Sequence, residues 1–179
     1  MKTTKILIAG FGGQGVLFAG KFLANKGMHE QLQVSWLPSY GPEMRGGTAN
    51  CNVILSEEPI GSPIISKPDV LVAMNLPSLQ KYVDTVESGG EIYVDSTLVN
   101  EEIKRSDVKV YRVPATRLAK ENGMDKLANM ILIGHLLQNN QELTFDGTEE
   151  LLEKLVPPTK KTLLELNLKA LQMGKNYIS

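Results

Sequence analysis

The stretch that decides the fold is KILIAGFGGQG, residues 5–15. Its apolar first half predicts a buried β-strand, and the amphipathic segment that follows, residues 16–24, predicts an α-helix. Between them lies the first glycine loop, residues 10–15. A glycine-rich turn that leads from a strand into a helix is the context in which main-chain amides at a helix start bind an anion.

The first glycine loop has a recognisable spacing. Gly10, Gly12 and Gly15 follow the pattern G-x-G-x-x-G, which permits a tight turn, close approach of a ligand to bare backbone, and close packing of helix on strand. Gly13 adds a further unrestricted backbone position, and the side chain of Gln14 can both donate and accept a hydrogen bond. We expect these five residues to contact a bound ligand, although the same glycines can also serve the turn alone.

The rest of the chain alternates between strand and helix signals. Segments rich in Val, Ile and Leu, bounded by Gly, Pro, Asn or Asp, predict strands at 4–9, 33–37, 49–55, 69–74, 91–95 and 108–113. Helical patterns run from Pro77 toward Ser88 and, after Pro114, over 115–122, 127–139, 148–155 and 158–175. This order predicts an α/β protein: a single three-layer, Rossmann-like domain over residues 1–179, with a mostly parallel sheet and a helical C-terminal part.

The segment 49–55 differs from the other predicted strands. Apolar residues at its odd positions alternate with two asparagines and one isoleucine at its even positions. This pattern predicts a strand with one wetter face, either at an edge of the sheet or antiparallel to its neighbours. Cys51 lies on the apolar face with no histidine close in sequence, so we expect a packed small side chain rather than a nucleophile.

The second glycine loop, SYGPEMRGGT at residues 39–48, follows the second predicted strand. A solvated turn needs glycine and proline, but it does not need a large aromatic, an acid and a guanidinium so close together. The planar fork of Arg45 can bind a phosphate or carboxylate while Glu43 orients it; the alternative is a surface ion pair between the two. In a parallel sheet both glycine loops open at the same edge. We therefore predict ligand contacts at Tyr40, Glu43, Arg45, Gly46 and Gly47.

A nicotinamide site is disfavoured by the end of the second strand. In dinucleotide-binding domains an Asp or Glu about 20 residues after the glycine loop binds the ribose hydroxyls. Here the strand ends in Ser39, and a serine cannot accept from two hydroxyls as a carboxylate can.

Polar residues at two other strand ends extend the predicted site. Asn75 and Ser96 each follow a predicted strand, so both are expected to reach the same crevice. Each is also a residue type that caps helices, which is the alternative interpretation. Asn129, near the start of a predicted helix, is expected to hydrogen-bond a neighbouring loop.

Composition restricts the function classes. The 179 residues carry 19 basic and 20 acidic side chains, a formal net charge of -1, so no broad field attracts nucleic acid or an anionic membrane. The first apolar run is too short for a secretory signal or a membrane span, which predicts a cytoplasmic protein. The single cysteine excludes an internal disulfide and an iron–sulfur cluster held by this chain alone, and His29 and His135 lack the spacing of metal ligands.

The two glycine loops, followed by Ala128-Asn129-Met130 ahead of a helix, resemble the gamma subunit of the 2-oxoacid:ferredoxin oxidoreductases. The resemblance covers nearly the whole chain, and the second glycine loop is its specific part. The form YGPEMRGG, residues 40–47, looks more like the 2-oxoglutarate and branched-chain 2-oxoacid members than the pyruvate members.

The resemblance implies a multisubunit enzyme that oxidatively decarboxylates a 2-oxoacid, passes the electrons through iron–sulfur centres to ferredoxin, and transfers the acyl group to coenzyme A. It implies thiamine diphosphate with Mg²⁺, and the iron–sulfur clusters, on the alpha, beta and ferredoxin-like partner subunits. This chain has no Gly-Asp-Gly thiamine motif. It is therefore expected to be inactive alone, to complete the assembly and to help bind coenzyme A, and a free subunit with exposed partner surfaces is expected to be able to form a homodimer.

Two other function classes stay open on the residues themselves: a stand-alone dinucleotide-binding reductase, and a nucleotide-sensing interaction module without chemistry. The missing ribose-binding acid argues against the first, and the lack of an obvious acid–base pair argues against independent catalysis. A thermal-shift comparison of NAD, flavin, ATP and coenzyme A separates the classes, because a ligand stabilises the fold that it binds.

Overall fold

The computed structural model describes residues 3–39, 48–140 and 142–178. Within these residues six strands form one sheet in the order β2-β3-β1-β4-β5-β6, and helices connect most of them, which confirms the predicted α/β class. The strands are β1 (Thr3–Phe11), β2 (Gln33–Ser39), β3 (Thr48–Ser56), β4 (Val70–Ala73), β5 (Glu91–Asp95) and β6 (Lys109–Val113). The helices are α1 (Val16–His29), α2 (Leu76–Tyr82), α3 (Ala115–Glu121), α4 (Ala128–Asn139), α5 (Thr148–Leu155) and α6 (Lys161–Asn176).

The sheet is mixed rather than fully parallel. β1 pairs in parallel with β4, β4 with β5, and β5 with β6, whereas β3 is antiparallel to both of its neighbours, β1 and β2. The prediction of an antiparallel strand over 49–55 is confirmed, and β2 rather than β3 is the edge strand. Because two successive antiparallel pairings restore the direction, β2 points the same way as β1. The ends of both strands therefore lie at one edge of the sheet, its carboxyl edge.

Helices cover both faces of the sheet, which gives the predicted three-layer arrangement. Alternate residues of β1 join two separate apolar clusters: Ile6 and Ile8 pack with residues of α1, α4 and α6, and Leu7 packs with Leu79 of α2. The helices that follow the neighbouring strands β1 and β4 thus lie on opposite faces. This divergence puts the topological switch point, where sheets of this class bind ligands, between β1 and β4.

The helix that follows β4 is shorter than the sequence predicts. α2 ends at Tyr82 and continues as a 3-10 turn over Val83–Thr85, instead of running toward Ser88. The hydroxyl of Thr85 donates to the carbonyl oxygen of Tyr82 at 2.7 Å. At and just beyond this turn, Val83 O accepts from Arg105 Nη1 at 2.9 Å and Glu87 N donates to Pro68 O at 2.9 Å, so bonds to distant residues replace the helical pattern.

Two other helix boundaries differ from the predicted ones. α1 continues past its predicted segment to His29, and the Gly27 within it is kept because a Cβ there would collide with the side chain of Leu55 in β3. α6 begins at Lys161, after a turn over residues 157–160, rather than at residue 158. None of the helices in the part of the chain described above has the length and apolar content that a bilayer crossing requires.

Candidate functional site

The first glycine loop lies at the switch point, between the ends of β1 and β4. A hydrogen bond of 3.2 Å from Gln14 N to Phe11 O closes its turn. Gly13, just before Gln14, has φ +93°, and Gly15, the residue immediately before α1, has φ +75°. Residues with a side chain rarely adopt these angles, so both positions need glycine for the turn itself.

The N-terminus of α1 is open to an anion. In the part of the chain that the structure describes, no side chain caps this helix, and its first turn contains no acidic residue. Within the described ranges, the amides of Gly12, Gly13 and Gly15 form no hydrogen bond to the protein. Main-chain N–H groups without acceptors attract an anion, and the helix dipole adds on the order of 0.3–1 kcal/mol.

The side chains of Gln14 and Asn75 are bonded to the protein. Gln14 Oε1 accepts hydrogen bonds from Phe11 N at 2.6 Å and from Asn75 Nδ2 at 3.1 Å, and Gln14 Nε2 donates to Met74 O at 3.3 Å. Asn75 Oδ1 accepts from Ser78 N at 2.9 Å and so caps α2. The helix-cap interpretation of Asn75 is therefore confirmed, and the two carboxamides link the loop after β1 to the loop after β4.

Gly10 leaves room for this link. A Cβ at Gly10 would lie 2.7 Å from Gln14 Oε1 and 2.9 Å from Val16 Cγ2, closer than real side chains pack. The absence of a side chain at this position thus has a packing reason. The spacing of the glycines in the sequence did not reveal it, because the contact depends on where the side chain of Gln14 folds.

Asn129 supports the loop from α4. Its Nδ2 donates to Gly15 O at 3.0 Å, which confirms the expected hydrogen bond to a neighbouring loop. A Cβ at Gly15 would collide with the Asn129 carboxamide, so the two residues form a packed pair. Asn129 is buried, and its Oδ1 has no hydrogen-bond partner among the described residues. A buried acceptor without a partner is uncommon, and here it lies beside the cap of α1.

Ser96 lies at the same carboxyl edge, but one strand further away. It follows β5, and β4 separates β5 from the strand that carries the first glycine loop. Its neighbour Asp95 is buried and accepts from Thr97 N at 3.1 Å and from Thr116 Oγ1 at 2.5 Å. This strand end thus anchors the start of α3, and the structure does not bring Ser96 next to the first glycine loop.

The second glycine loop is located by its two ends. Ser39 pairs with Asn50, which in turn pairs with Ala9, and Thr48 pairs with Phe11. Both ends therefore lie at the carboxyl edge beside the end of β1, in agreement with the predicted common edge. The predicted contacts in between lie outside the described residues: Tyr40, Glu43, Arg45, Gly46 and Gly47.

Cys51 is a packed side chain, as expected. It is buried beneath α1, where a Cβ at Gly20 would collide with its Sγ. Burial raises the pKa of Cys51 to about 12, so its thiol is not ionised at neutral pH. Over the described ranges, no group of three or more His, Cys, Asp or Glu side chains is placed to hold a metal ion.

The chain is similar to proteins of one enzyme family along almost all of its length. Residues 5–177 match the family model described as pyruvate ferredoxin/flavodoxin oxidoreductase. The 2-oxoglutarate synthase subunit KorC of Methanothermobacter marburgensis is 37% identical over 181 residues, covering 97% of this chain and 96% of KorC. The ketoisovalerate oxidoreductase subunit VorA of Methanothermobacter thermautotrophicus is 39% identical over 175 residues. That match covers 97% of this chain and 36% of VorA, so the chain spans about a third of the length of that relative.

Two solved structures share the fold. The keto/oxoacid ferredoxin oxidoreductase gamma subunit from Geobacter sulfurreducens has a TM-score of 0.85 at 28% identity and covers 98% of this chain and 95% of that chain. The 2-oxoglutarate:ferredoxin oxidoreductase from Magnetococcus marinus, solved with 2-oxoglutarate, coenzyme A and succinyl-CoA bound, has a TM-score of 0.87 at 26% identity. It covers 98% of this chain and 31% of that chain. The protein therefore belongs to the pyruvate ferredoxin/flavodoxin oxidoreductase family.

Proposed function

We propose that this chain is the gamma subunit of a cytoplasmic 2-oxoacid:ferredoxin oxidoreductase, folded as one domain, whose complex oxidatively decarboxylates a 2-oxoacid to an acyl-CoA. The observation that carries the proposal is the similarity to KorC, which extends over nearly the full length of both proteins. The names of the two relatives make 2-oxoglutarate and ketoisovalerate the candidate substrates.

The proposed partners are the alpha and beta subunits and a ferredoxin-like iron–sulfur subunit, with ferredoxin as the electron acceptor. We assign thiamine diphosphate with its Mg²⁺, and the iron–sulfur clusters, to these partners, and we assign no catalytic residue to this chain. The cysteine content supports that division, because a cluster needs several thiolates and this sequence has one cysteine, Cys51.

Coenzyme A is proposed to bind partly on this chain, at the first glycine loop. The amides of Gly12, Gly13 and Gly15, together with the uncapped start of α1, suit its pyrophosphate, and the guanidinium of Arg45 suits a further phosphate. Among the residues that the structure describes, a Cβ at Gly13 would meet no atom within 4 Å, which supports access for such a ligand. When bound, coenzyme A supplies the thiol that takes the acyl group.

The role of Arg45 is tested in the reconstituted complex. We expect Arg45→Ala to raise the KM for coenzyme A about tenfold, the effect of losing one charge-assisted hydrogen bond. The KM for the 2-oxoacid should not change. Arg117→Ala, which removes an exposed guanidinium from α3, is the matched control. Unchanged kinetics of Arg45→Ala in a normally assembled complex would remove Arg45 from the site.

Assembly is tested separately from binding. Native pull-down followed by mass identification should recover the chain with larger partner chains. The isolated chain is expected to form a homodimer, which sedimentation detects, because β2 is an edge strand with Trp36 and Leu37 each 37% exposed.

A chain that remains alone and is stabilised by NAD rather than by coenzyme A would instead be a reductase. At 100 times its dissociation constant, a ligand stabilises by about 2.7 kcal/mol.

A further inference from the structure

The amides of the first glycine loop fall into two sets. The amide of Phe11 is already bound by the protein, because Gln14 Oε1 accepts from it at 2.6 Å. The amides of Gly12 and Gly13 have no acceptor among the described residues. The Gln14 carboxamide thus provides the acceptor for the amide of Phe11 and leaves the amides of Gly12 and Gly13 open.

Gln14 is in turn held from the other side of the switch point. It receives a hydrogen bond from Asn75 Nδ2 and donates one to Met74 O, both in the loop after β4. Asn75 is only 2% exposed and also caps α2 through Ser78 N. Since this end of the link is buried and bonded to a helix, the conformation of the first glycine loop depends on a neighbouring strand rather than on its own flexible glycines.

We propose that Gln14 and Asn75 are positioning residues, not ligand contacts, and that they hold the open amides of Gly12 and Gly13 in the arrangement that binds a phosphate group of coenzyme A. This inference rests on the proposed function. Its physical basis is preorganisation: a loop with several glycines loses much conformational entropy when it binds a ligand, unless the protein has already ordered it.

Two substitutions separate the link from the structures that it joins. Gln14→Met preserves the length of the side chain but removes its three hydrogen bonds. Asn75→Ser keeps an oxygen able to cap α2, since serine is a good cap, but it is too short to donate to Gln14. Gln172→Met on the exposed face of α6 and Asn25→Ser on α1 are the matched controls.

The first readout is hydrogen exchange in the full chain without ligand. Gln14→Met and Asn75→Ser should each accelerate exchange of the two hydrogen-bonded loop amides, those of Phe11 and Gln14, while exchange in α4 and α6 stays as in the unchanged protein. The second readout is kinetics in the reconstituted complex. Each variant should raise the KM for coenzyme A about tenfold, because misplaced binding groups lose affinity. The kcat at saturating coenzyme A and the KM for the 2-oxoacid should stay within about twofold of their normal values.

The double variant gives the decisive comparison. Because both residues act through one link, Gln14→Met combined with Asn75→Ser should raise the KM for coenzyme A no more than either single change. Multiplicative effects, or exchange rates that do not change, would overturn the positioning role.

The failure of this inference differs from the failure of the proposed function. If Arg45→Ala raises the KM for coenzyme A and Gln14→Met does not, the coenzyme binds on this chain but the link does not position its site. If neither changes that KM while Gln14→Met still accelerates exchange, the link orders the loop but coenzyme A binds elsewhere. That second outcome overturns both proposals for the coenzyme site.

Discussion

Glycine has opposite tasks in the first glycine loop and in the crossing of α4 with α6. At Gly13 a Cβ would meet none of the described residues within 4 Å, and among these residues only the backbone angle requires glycine. At Gly134 of α4 and Gly174 of α6, a Cβ would collide with the carbonyl oxygens of Leu171 and Ile131 in the facing helix. At Gly13 the loop needs glycine for conformation and access, whereas the crossing needs it so that two helix backbones can touch.

A glycine in a sequence therefore does not show by itself whether its position requires an unusual backbone angle or close packing. The glycines of the loop attract attention because they are clustered after a strand, and those of the crossing do not, because each is isolated within a helical pattern. A single glycine inside a helix costs about 1 kcal/mol relative to alanine. It is kept where close packing of the helices requires it.

The largest expected effect is at the crossing. Gly174→Ala should destabilise the fold by up to about 3 kcal/mol, because the added methyl group collides with backbone that cannot move aside. In a chain of this size that lowers the Tm by roughly 6–12 °C in thermal unfolding. Gly61→Ala is the control, since a Cβ there meets none of the described residues within 4 Å and the backbone angle is ordinary. A similar Tm for both variants would remove the distinction between packed and open glycines.

A smaller effect is expected where α1 packs on β3. Gly20→Ala should cost about 2 kcal/mol, because its methyl group collides with Cys51 Sγ. Shortening the opposing side chain in the same protein, by Cys51→Ala, should recover about 1 kcal/mol of that loss. Denaturant unfolding of the two single variants and the double variant measures the coupling. Strictly additive losses would mean that the collision is with the indole of Trp36, whose Nε1 would lie 3.0 Å from the new Cβ.

The stability of the fold at the α4–α6 crossing should also depend on pH, because His135 lies there. Its Nδ1 lies 3.1 Å from Gly174 O and its Nε2 lies 3.3 Å from Asn139 Nδ2, so the hydrogen-bond geometry assigns a neutral ring with the proton on Nδ1. The rings of Tyr93, Tyr111 and Tyr177 surround it, and burial lowers the pKa of His135 below its usual value.

The sign of the pH effect follows from this pKa. Because the unfolded chain binds the proton more readily, the stability associated with His135 is fully present above about pH 6.5 and is lost as the pH falls toward the folded pKa. The slope is at most about 1.4 kcal/mol per pH unit. Tm values from pH 8 to pH 5 should fall more steeply for the unchanged protein than for His135→Gln. Parallel curves would contradict the assignment of a buried neutral ring.

The smallest stability effect is expected at the loop. Gly13→Ala should cost only about 1 kcal/mol, the strain of placing a side chain at φ +93°, because it displaces none of the described residues. The KM for coenzyme A in the complex should nevertheless rise, because the methyl group occupies the approach to the open amides. A loss of stability as large as that of Gly174→Ala, with an unchanged KM, would reverse the comparison.

Much of the fold follows from local patterns. The six predicted strands occur at nearly their predicted positions, and of the two alternatives that the odd–even pattern of 49–55 left open, an edge strand or an antiparallel strand, the second is confirmed. These predictions succeed because a buried strand or an amphipathic helix must show its period in its own residues. The predicted end of α2 was wrong because Val83 O and Glu87 N bond to Arg105 and Pro68, and the hydrophobic period does not encode these distant contacts.

The site was predicted less completely than the fold. The shared edge of the two glycine loops and the capping role of Asn75 follow from the order of elements and from the residue type. The hydrogen bonds of Gln14 across the switch point, and the packing of Asn129 on Gly15, do not. A carboxamide in a sequence shows that it can donate and accept, but its partners depend on which strand lies next to it.

The sequence by itself determined the α/β class, the position of the first glycine loop between a strand and a helix, and the family resemblance carried by the two loops. Tertiary structure alone decided that β2 is the edge strand, that Gln14 and Asn75 join two loops, and that Gly134 and Gly174 meet face to face. The physical reason is the distance along the chain between the residues that interact. Periodicity, capping and turn chemistry act between residues a few positions apart, whereas a helix crossing or a link between strand ends is made by residues that only the folded chain brings together.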